Sequence, residues 1–119
     1  MIVDDAKFMT SLTEKLLKKI GHEIAFKASN GIEAINFYSQ YWSTIDIILL
    51  DLVMPKMDGI QTLKSLKSIN PRAKIIIITS ISSQSIVTSA MRSGASEFIT
   101  KPFRLSEFVR AINKVIEGS

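Results

Sequence analysis

Five times along this chain a short apolar run gives way to a helical periodicity, and that alternation restricts the fold more than any other feature. "MIV" (1–3) runs into Asp4-Asp5. Phe8, Leu12, Leu16 and Ile20 then recur every four residues, which predicts the inner face of a helix stopped by Gly21. "EIAFKA" (23–28) alternates apolar and polar residues and reads as an edge strand. Asn30-Gly31 punctuate it, and Ala34, Ile35, Tyr38, Tyr41 and Trp42 follow at helical spacing. "DIILLDL" (46–52) predicts a buried strand, and Pro55 and Gly59 are expected to prevent regular structure after it. Ile60, Leu63 and Leu66 mark a helix that closes near Asn70-Pro71. The four isoleucines 75–78 predict a strand covered on both faces. Ile86, Val87, Ala90 and Met91 then lie on a helix (82–93) closed by Gly94. "EFIT" (97–100) is the last strand, before Lys101-Pro102 and a helix carrying Leu105, Phe108, Val109, Ile112 and Ile116.

Strands that alternate with helices build a parallel sheet with right-handed crossovers and helices on both faces. Five such units most simply give an α/β, doubly wound sheet of order 2-1-3-4-5. With 119 residues the chain is expected to be one domain, 1–119. No stretch approaches the ~20 apolar residues of a membrane span, and Asp4-Asp5 fall where a signal peptide would have its basic and apolar regions. No membrane partner is expected. The absence of cysteine excludes disulfides and thiolate metal sites and fits a cytoplasmic protein. The net charge of +4 is scattered, so no direct nucleic-acid partner is expected.

In a parallel sheet all strands end on one side, and ligands bind at that edge. Strand one delivers Asp4 and Asp5 there, strand three Asp51, strand four Thr79, and strand five Lys101. Three carboxylates with no protein cation between them repel, so either one stays protonated or a cation binds. All-oxygen ligands without Cys or His suit a hard ion, and Mg²⁺ takes a few carboxylates plus waters and a phosphate oxygen. A hydroxyl (Thr79) and an ammonium (Lys101) are what a phosphoryl group requires. Asp51 is then a candidate carboxylate nucleophile.

"VDD" after a short strand, "LLDLVMPKMDG", "IIIITS" and "GASEFITKPF", in that order, resemble the receiver domain of two-component response regulators over essentially the whole chain. The resemblance implies a flavodoxin-like (βα)5 fold, so the strand order is recognised as much as derived. It implies Asp51 as phosphoacceptor, and Asp4, Asp5, Asp51 and the backbone carbonyl of Val53 as Mg²⁺ ligands. It implies Thr79 and Lys101 as phosphoryl contacts, Thr79 and Phe98 as switch residues, and a cis Lys101-Pro102 peptide. The implied partners are a sensor histidine kinase or phosphotransfer protein and an output protein or fused output domain. A phosphorylation-dependent dimer is a further expected state. Signalling would act through the 82–119 face, where Arg92, Arg104, Arg110 and Lys114 suggest an acidic partner or a second copy. Phe98, where receivers often have Tyr, would signal by ring burial, since it lacks the hydroxyl.

Simpler readings exist for single residues. Asp5 is also a good helix cap, an aromatic in a strand is usually core, and His22, the only histidine, reads as a solvated turn residue. Two other functions compete. An Asp-nucleophile phosphatase of the haloacid-dehalogenase type needs a second Asp where Val53 stands, and this length leaves no room for a cap domain. A non-phosphorylated interaction module stays open as an alternative, but all five site residues are present and favour a phosphorylatable receiver. Only autophosphorylation and slow autodephosphorylation are expected of such a receiver, which is not an enzyme. Its first strand is short for the family, which suggests a chain cut from a longer one or a shifted start. A stand-alone regulator and a piece of a longer one both remain open.

Overall fold

The computed structural model describes residues 1–54, 57–81 and 83–118. Pro55, expected to interrupt regular structure, and Ser82 and Ser119, the ends of the expected signalling face, lie outside them. Five strands, β1 (Ile2–Val3), β2 (Lys27–Ala28), β3 (Ile48–Leu50), β4 (Ile75–Thr79) and β5 (Glu97–Thr100), form one sheet of order β2-β1-β3-β4-β5. Every pairing is parallel. The helices are α1 (Lys7–Lys19), α2 (Gly31–Tyr41), α3 (Gly59–Ile69), α4 (Gln84–Arg92) and α5 (Leu105–Glu117), with a 3₁₀ turn at Trp42–Thr44. None of the described helices is long and apolar enough to cross a membrane.

Alternation along each strand divides the core in two. Val3, Leu50, Ile75 and Ile77 point to one face, where Ala34 and Tyr38 of α2, Leu63 and Leu66 of α3 and Ala90 of α4 cover them. Ile2, Leu49, Ile76, Ile78 and Ile99 point to the other, under Leu17 of α1 and Phe108, Ala111, Ile112 and Val115 of α5. The isoleucine run is buried throughout because both sheet faces are roofed there.

Several local expectations are corrected. On α1 the buried residues are Thr13 and Leu17, while Leu16 and Ile20 pack only partly and Phe8 is 78% exposed. A spacing of exactly four drifts around a helix that turns every 3.6 residues, so the start and end of such a stripe cannot share one buried face. Leu105 and Ile116 of α5, Met91 of α4, and Tyr41 and Trp42 are exposed for the same reason or because they end an element. Gly59 does not prevent regular structure; it opens α3 behind the Asp58 cap, whose side chain accepts from Ile60 N–H. A Cβ at Gly59 would strike the Leu52 backbone, so glycine lets α3 sit tightly against the end of β3. Finally, β2 and β3 are shorter than 23–28 and 46–52. An edge strand is no longer than its neighbour, and β1 offers β2 only two residues.

Candidate functional site

Register sets the site. Ile2 pairs with Leu49 and Val3 with Leu50, so the next rung sets Asp4 beside Asp51 at the C-terminal ends of the two central strands. Asp4 N–H donates to Ala28 O at 3.0 Å and Asp51 N–H to Val3 O at 2.9 Å, which continues the ladder to that rung. Both carboxylates carry the parity of Ile2 and Leu49 and lie on the α1/α5 side. Ile78 pairs with Ile99, and Lys101, two residues on, has the same parity. Its backbone N–H is fixed to Thr79 O at 2.8 Å, and the Lys101-Pro102 peptide is cis, as the resemblance implied.

From there Lys101 reaches back across the strand ends. Nζ lies 3.1 Å from Asp4 Oδ2 and 3.0 Å from Asp51 Oδ2. The second oxygen of each carboxylate accepts a backbone N–H: Ala6 to Asp4 Oδ1 at 2.9 Å, and Val53 to Asp51 Oδ1 at 3.0 Å. Burial by itself lowers the Lys101 pKa, but the hydrogen bonds and charges of Asp51 and Asp4 outweigh it, and the net shift is upward. The premise of three carboxylates without a protein cation is therefore corrected: the flexible four-carbon stem of Lys101 places its ammonium between two of them.

Asp5 stands apart, exposed at the start of the loop into α1. Among the described residues no three acidic or His side chains gather closely enough to hold a metal. In kind the donors do fit Mg²⁺: carboxylates at a solvent-facing edge, with no soft ligand competing. Thr79, fully buried, accepts from Ile81 N–H at 3.4 Å, and an oxygen used as acceptor still has its own O–H to donate. Val53 and Ile81 are 48% and 39% exposed.

Phe98 projects from β5 to the opposite face of the sheet, partly buried against the α2–α4 cluster. It pairs with Ile77, one pleat before Thr79, and Thr79 and Phe98 share that face. His22 is half-buried and far from this edge, in the turn after α1. Sequence periodicity passed over Thr13, which is buried on α1 and lines a void of about 10 Å³ with Asp4, Asp51 and Lys101. Such a void holds one water at most. A polar residue inside an apolar helix repeat was the available signal.

The response regulator receiver domain model matches residues 1–113. The chain belongs to the response regulator receiver domain family. It is 42% identical to the chemotaxis protein CheY of Thermotoga maritima, over 97% of this chain and 94% of that protein. CheY of Bacillus subtilis is 40% identical, with 98% and 95% covered. Among solved structures, the CheX-CheY-BeF3-Mg complex from Borrelia burgdorferi contains a chain matching at TM-score 0.93 and 32% identity, over 96% of this chain and 85% of that one. Receiver domains are phosphorylatable signalling modules that generally bind Mg²⁺.

Proposed function

We propose that residues 1–119 act as one receiver domain in the cytoplasm, taking a phosphoryl group on Asp51 and passing the signal through α4, β5 and α5. The observation that carries this is the position of Asp51. It ends a central strand, with one oxygen on Val53 N–H and the other on the Lys101 ammonium. A carboxylate so fixed has its orientation settled before a donor arrives.

In the reaction an Asp51 oxygen attacks phosphorus of a phosphohistidine on a sensor kinase or phosphotransfer protein. The P–N bond breaks, the imidazole keeps the electron pair and takes a proton, and an acyl phosphate forms. A small donor such as acetyl phosphate loses acetate in the same way, which is the autophosphorylation we assign to this chain. Lys101 and Thr79 meet the phosphoryl oxygens with a cation and a hydroxyl donor. Asp4, Asp5, Asp51 and the Val53 carbonyl would hold Mg²⁺, which supplies positive charge against the transferring oxygens when bound.

Thr79 and Phe98 share one sheet face, so movement of Thr79 toward a phosphoryl oxygen frees space on that face for the ring. The response is a shift between two populations of one fold. Beyond them α5 exposes Leu105, which borders a shallow groove with Val109, Arg110 and Lys114. An apolar residue edged with basic ones suits an output protein with an acidic rim, or a second copy of the chain. The test is intact-mass spectrometry with acetyl phosphate and Mg²⁺. The wild-type chain gains one phosphoryl group and Asp51→Asn gains none; full phosphorylation of Asp51→Asn would refute the assignment.

A further inference from the structure

Thr13 is the one buried polar residue of α1, and it is 5% exposed. A buried threonine on a helix can satisfy its hydroxyl on the carbonyl four residues back, as Thr62 of α3 does on Asp58 O at 3.0 Å. Thr13 makes no such bond, and its hydroxyl has no hydrogen-bond partner among the described residues. Nor is its oxygen sealed in, since no fully enclosed side-chain oxygen or nitrogen of the described residues lacks a partner. The hydroxyl therefore opens on space that water can reach. The space Thr13 lines is the cavity of about 10 Å³ that it shares with Asp4, Asp51 and Lys101, walled otherwise by apolar residues such as Leu49 and Ile78.

Across that cavity the ion pairs leave hydrogen bonds to spare. An ammonium carries three donors, and Lys101 uses one on Asp4 Oδ2 at 3.1 Å and one on Asp51 Oδ2 at 3.0 Å. Each Asp4 oxygen accepts one N–H, from Ala6 and from Lys101, and a carboxylate oxygen has room for two. Polar groups that face one gap without touching are joined by water where the gap admits it. A volume near one probe sphere admits a single water, and such a water typically makes about three hydrogen bonds to otherwise unpaired groups. Three are at hand: the third Lys101 N–H, an Asp4 oxygen and the Thr13 hydroxyl.

We propose that this cavity is the site of one ordered water that joins the Thr13 hydroxyl to the Lys101 ammonium and the Asp4 carboxylate, and that Thr13 is thereby a positioning residue for both. The water accepts the third Lys101 N–H, and donates one proton to Asp4 and the other to Thr13. The flexible lysine stem is then held by α1 as well as by two carboxylates. When a phosphoryl group takes over the Asp51 side of the ammonium, the water bond persists, so Lys101 exchanges one partner without losing its place. Valine would fill the Thr13 position with nearly the same shape and no bond. The consequence for phosphoryl transfer rests on the reading of Asp51 as phosphoacceptor, whereas the water itself does not.

The test compares the wild type, Thr13→Val and Thr13→Ser, in metal-free crystals that diffract well enough to show ordered water and in phosphorylation by acetyl phosphate. Density in the cavity, within hydrogen-bond reach of Lys101 Nζ, is expected in the wild type and Thr13→Ser and not in Thr13→Val. At saturating Mg²⁺, Thr13→Val should be phosphorylated about tenfold more slowly, the scale of a small misplacement of a reacting group, and Thr13→Ser within about twofold of the wild type. Thermal melts confirm that each variant is folded. A wild-type cavity without density, or density that persists in Thr13→Val, overturns the proposal. So does a Thr13→Val rate equal to the wild type's, or a Thr13→Ser chain as slow as Thr13→Val. A wild type that takes no phosphoryl group would refute the reading of Asp51 instead, and the density would still decide the water.

Discussion

Lys101 Nζ lies 3.0 Å from Asp51 Oδ2, though 50 positions separate the two residues. The same ammonium holds Asp4 at 3.1 Å, so one side chain ties the fifth strand to the first and third. Lys101→Met should lower stability by about 1–3 kcal/mol, since it leaves two part-buried carboxylates facing each other. Mg²⁺ should restore more stability to this variant than it adds to the wild type, because a metal cation replaces the lost charge. Thermal melts with and without Mg²⁺ measure both effects. An unchanged melting temperature in metal-free buffer would show that the bridge is not formed in solution.

The same contact has an alkaline limit. The folded pKa of Lys101 is raised above its ordinary 10.5. Its contribution is therefore complete below that value and fades as pH climbs through the raised one. Loss of stability above pH 10.5 should be steeper for the wild type than for Lys101→Met, measured by denaturant midpoints.

Met1 gives the opposite slope at milder pH. Its amine falls from 8.0 to about 6 because burial penalises the charge, an effect Asp46 partly offsets. Between these values the unfolded chain binds a proton that the folded chain has released, so stability rises with pH. A two-unit shift corresponds to about 2–3 kcal/mol gained from pH 6 to 8. N-terminal acetylation should abolish that part of the slope. Identical urea midpoints against pH for the free and acetylated chains would contradict the buried amine.

Phosphoryl lifetime should be set beside Asp51. Water attacks an acyl phosphate in line, opposite the Asp51 oxygen, and Val53 and Ile81, two places after Asp51 and Thr79 and both partly exposed, are expected to flank this approach with apolar bulk. Neither can orient a water, and each missing contact slows attack by about tenfold if it is worth ~1.4 kcal/mol. The phosphoryl group should persist for many minutes, and Val53→Asn with Ile81→Glu should shorten that at least tenfold. Loss within seconds from the wild type, followed by phosphate release, would remove these residues from the account.

Much of this architecture was legible in the sequence because parallel sheets obey strong rules. The isoleucine run could only be a two-sided strand, and strand ends then placed Asp4, Asp51, Thr79 and Lys101 on one edge. What the residues could not show was reach and length. Nothing in the order of residues places the ammonium of Lys101 between Asp4 and Asp51 while leaving Asp5 exposed; that depends on the path of a flexible stem. The pattern of "EIAFKA" is a strand pattern, yet only Lys27–Ala28 pair, because pairing depends on what the neighbouring strand offers. The four-residue stripe from Phe8 to Ile20 misjudged α1 because it ignored the drift of the helix, and so passed over Thr13.

The central claim is that Asp51, and no other carboxylate at this edge, carries the phosphoryl group. Borohydride reduction of the phosphorylated protein converts an aspartyl phosphate to homoserine, and peptide mass mapping then locates it. The account predicts homoserine at position 51 alone, in a yield matching the phosphorylated fraction. Homoserine at Asp4 or Asp5, or a phosphorylated protein with no homoserine at all, would contradict it.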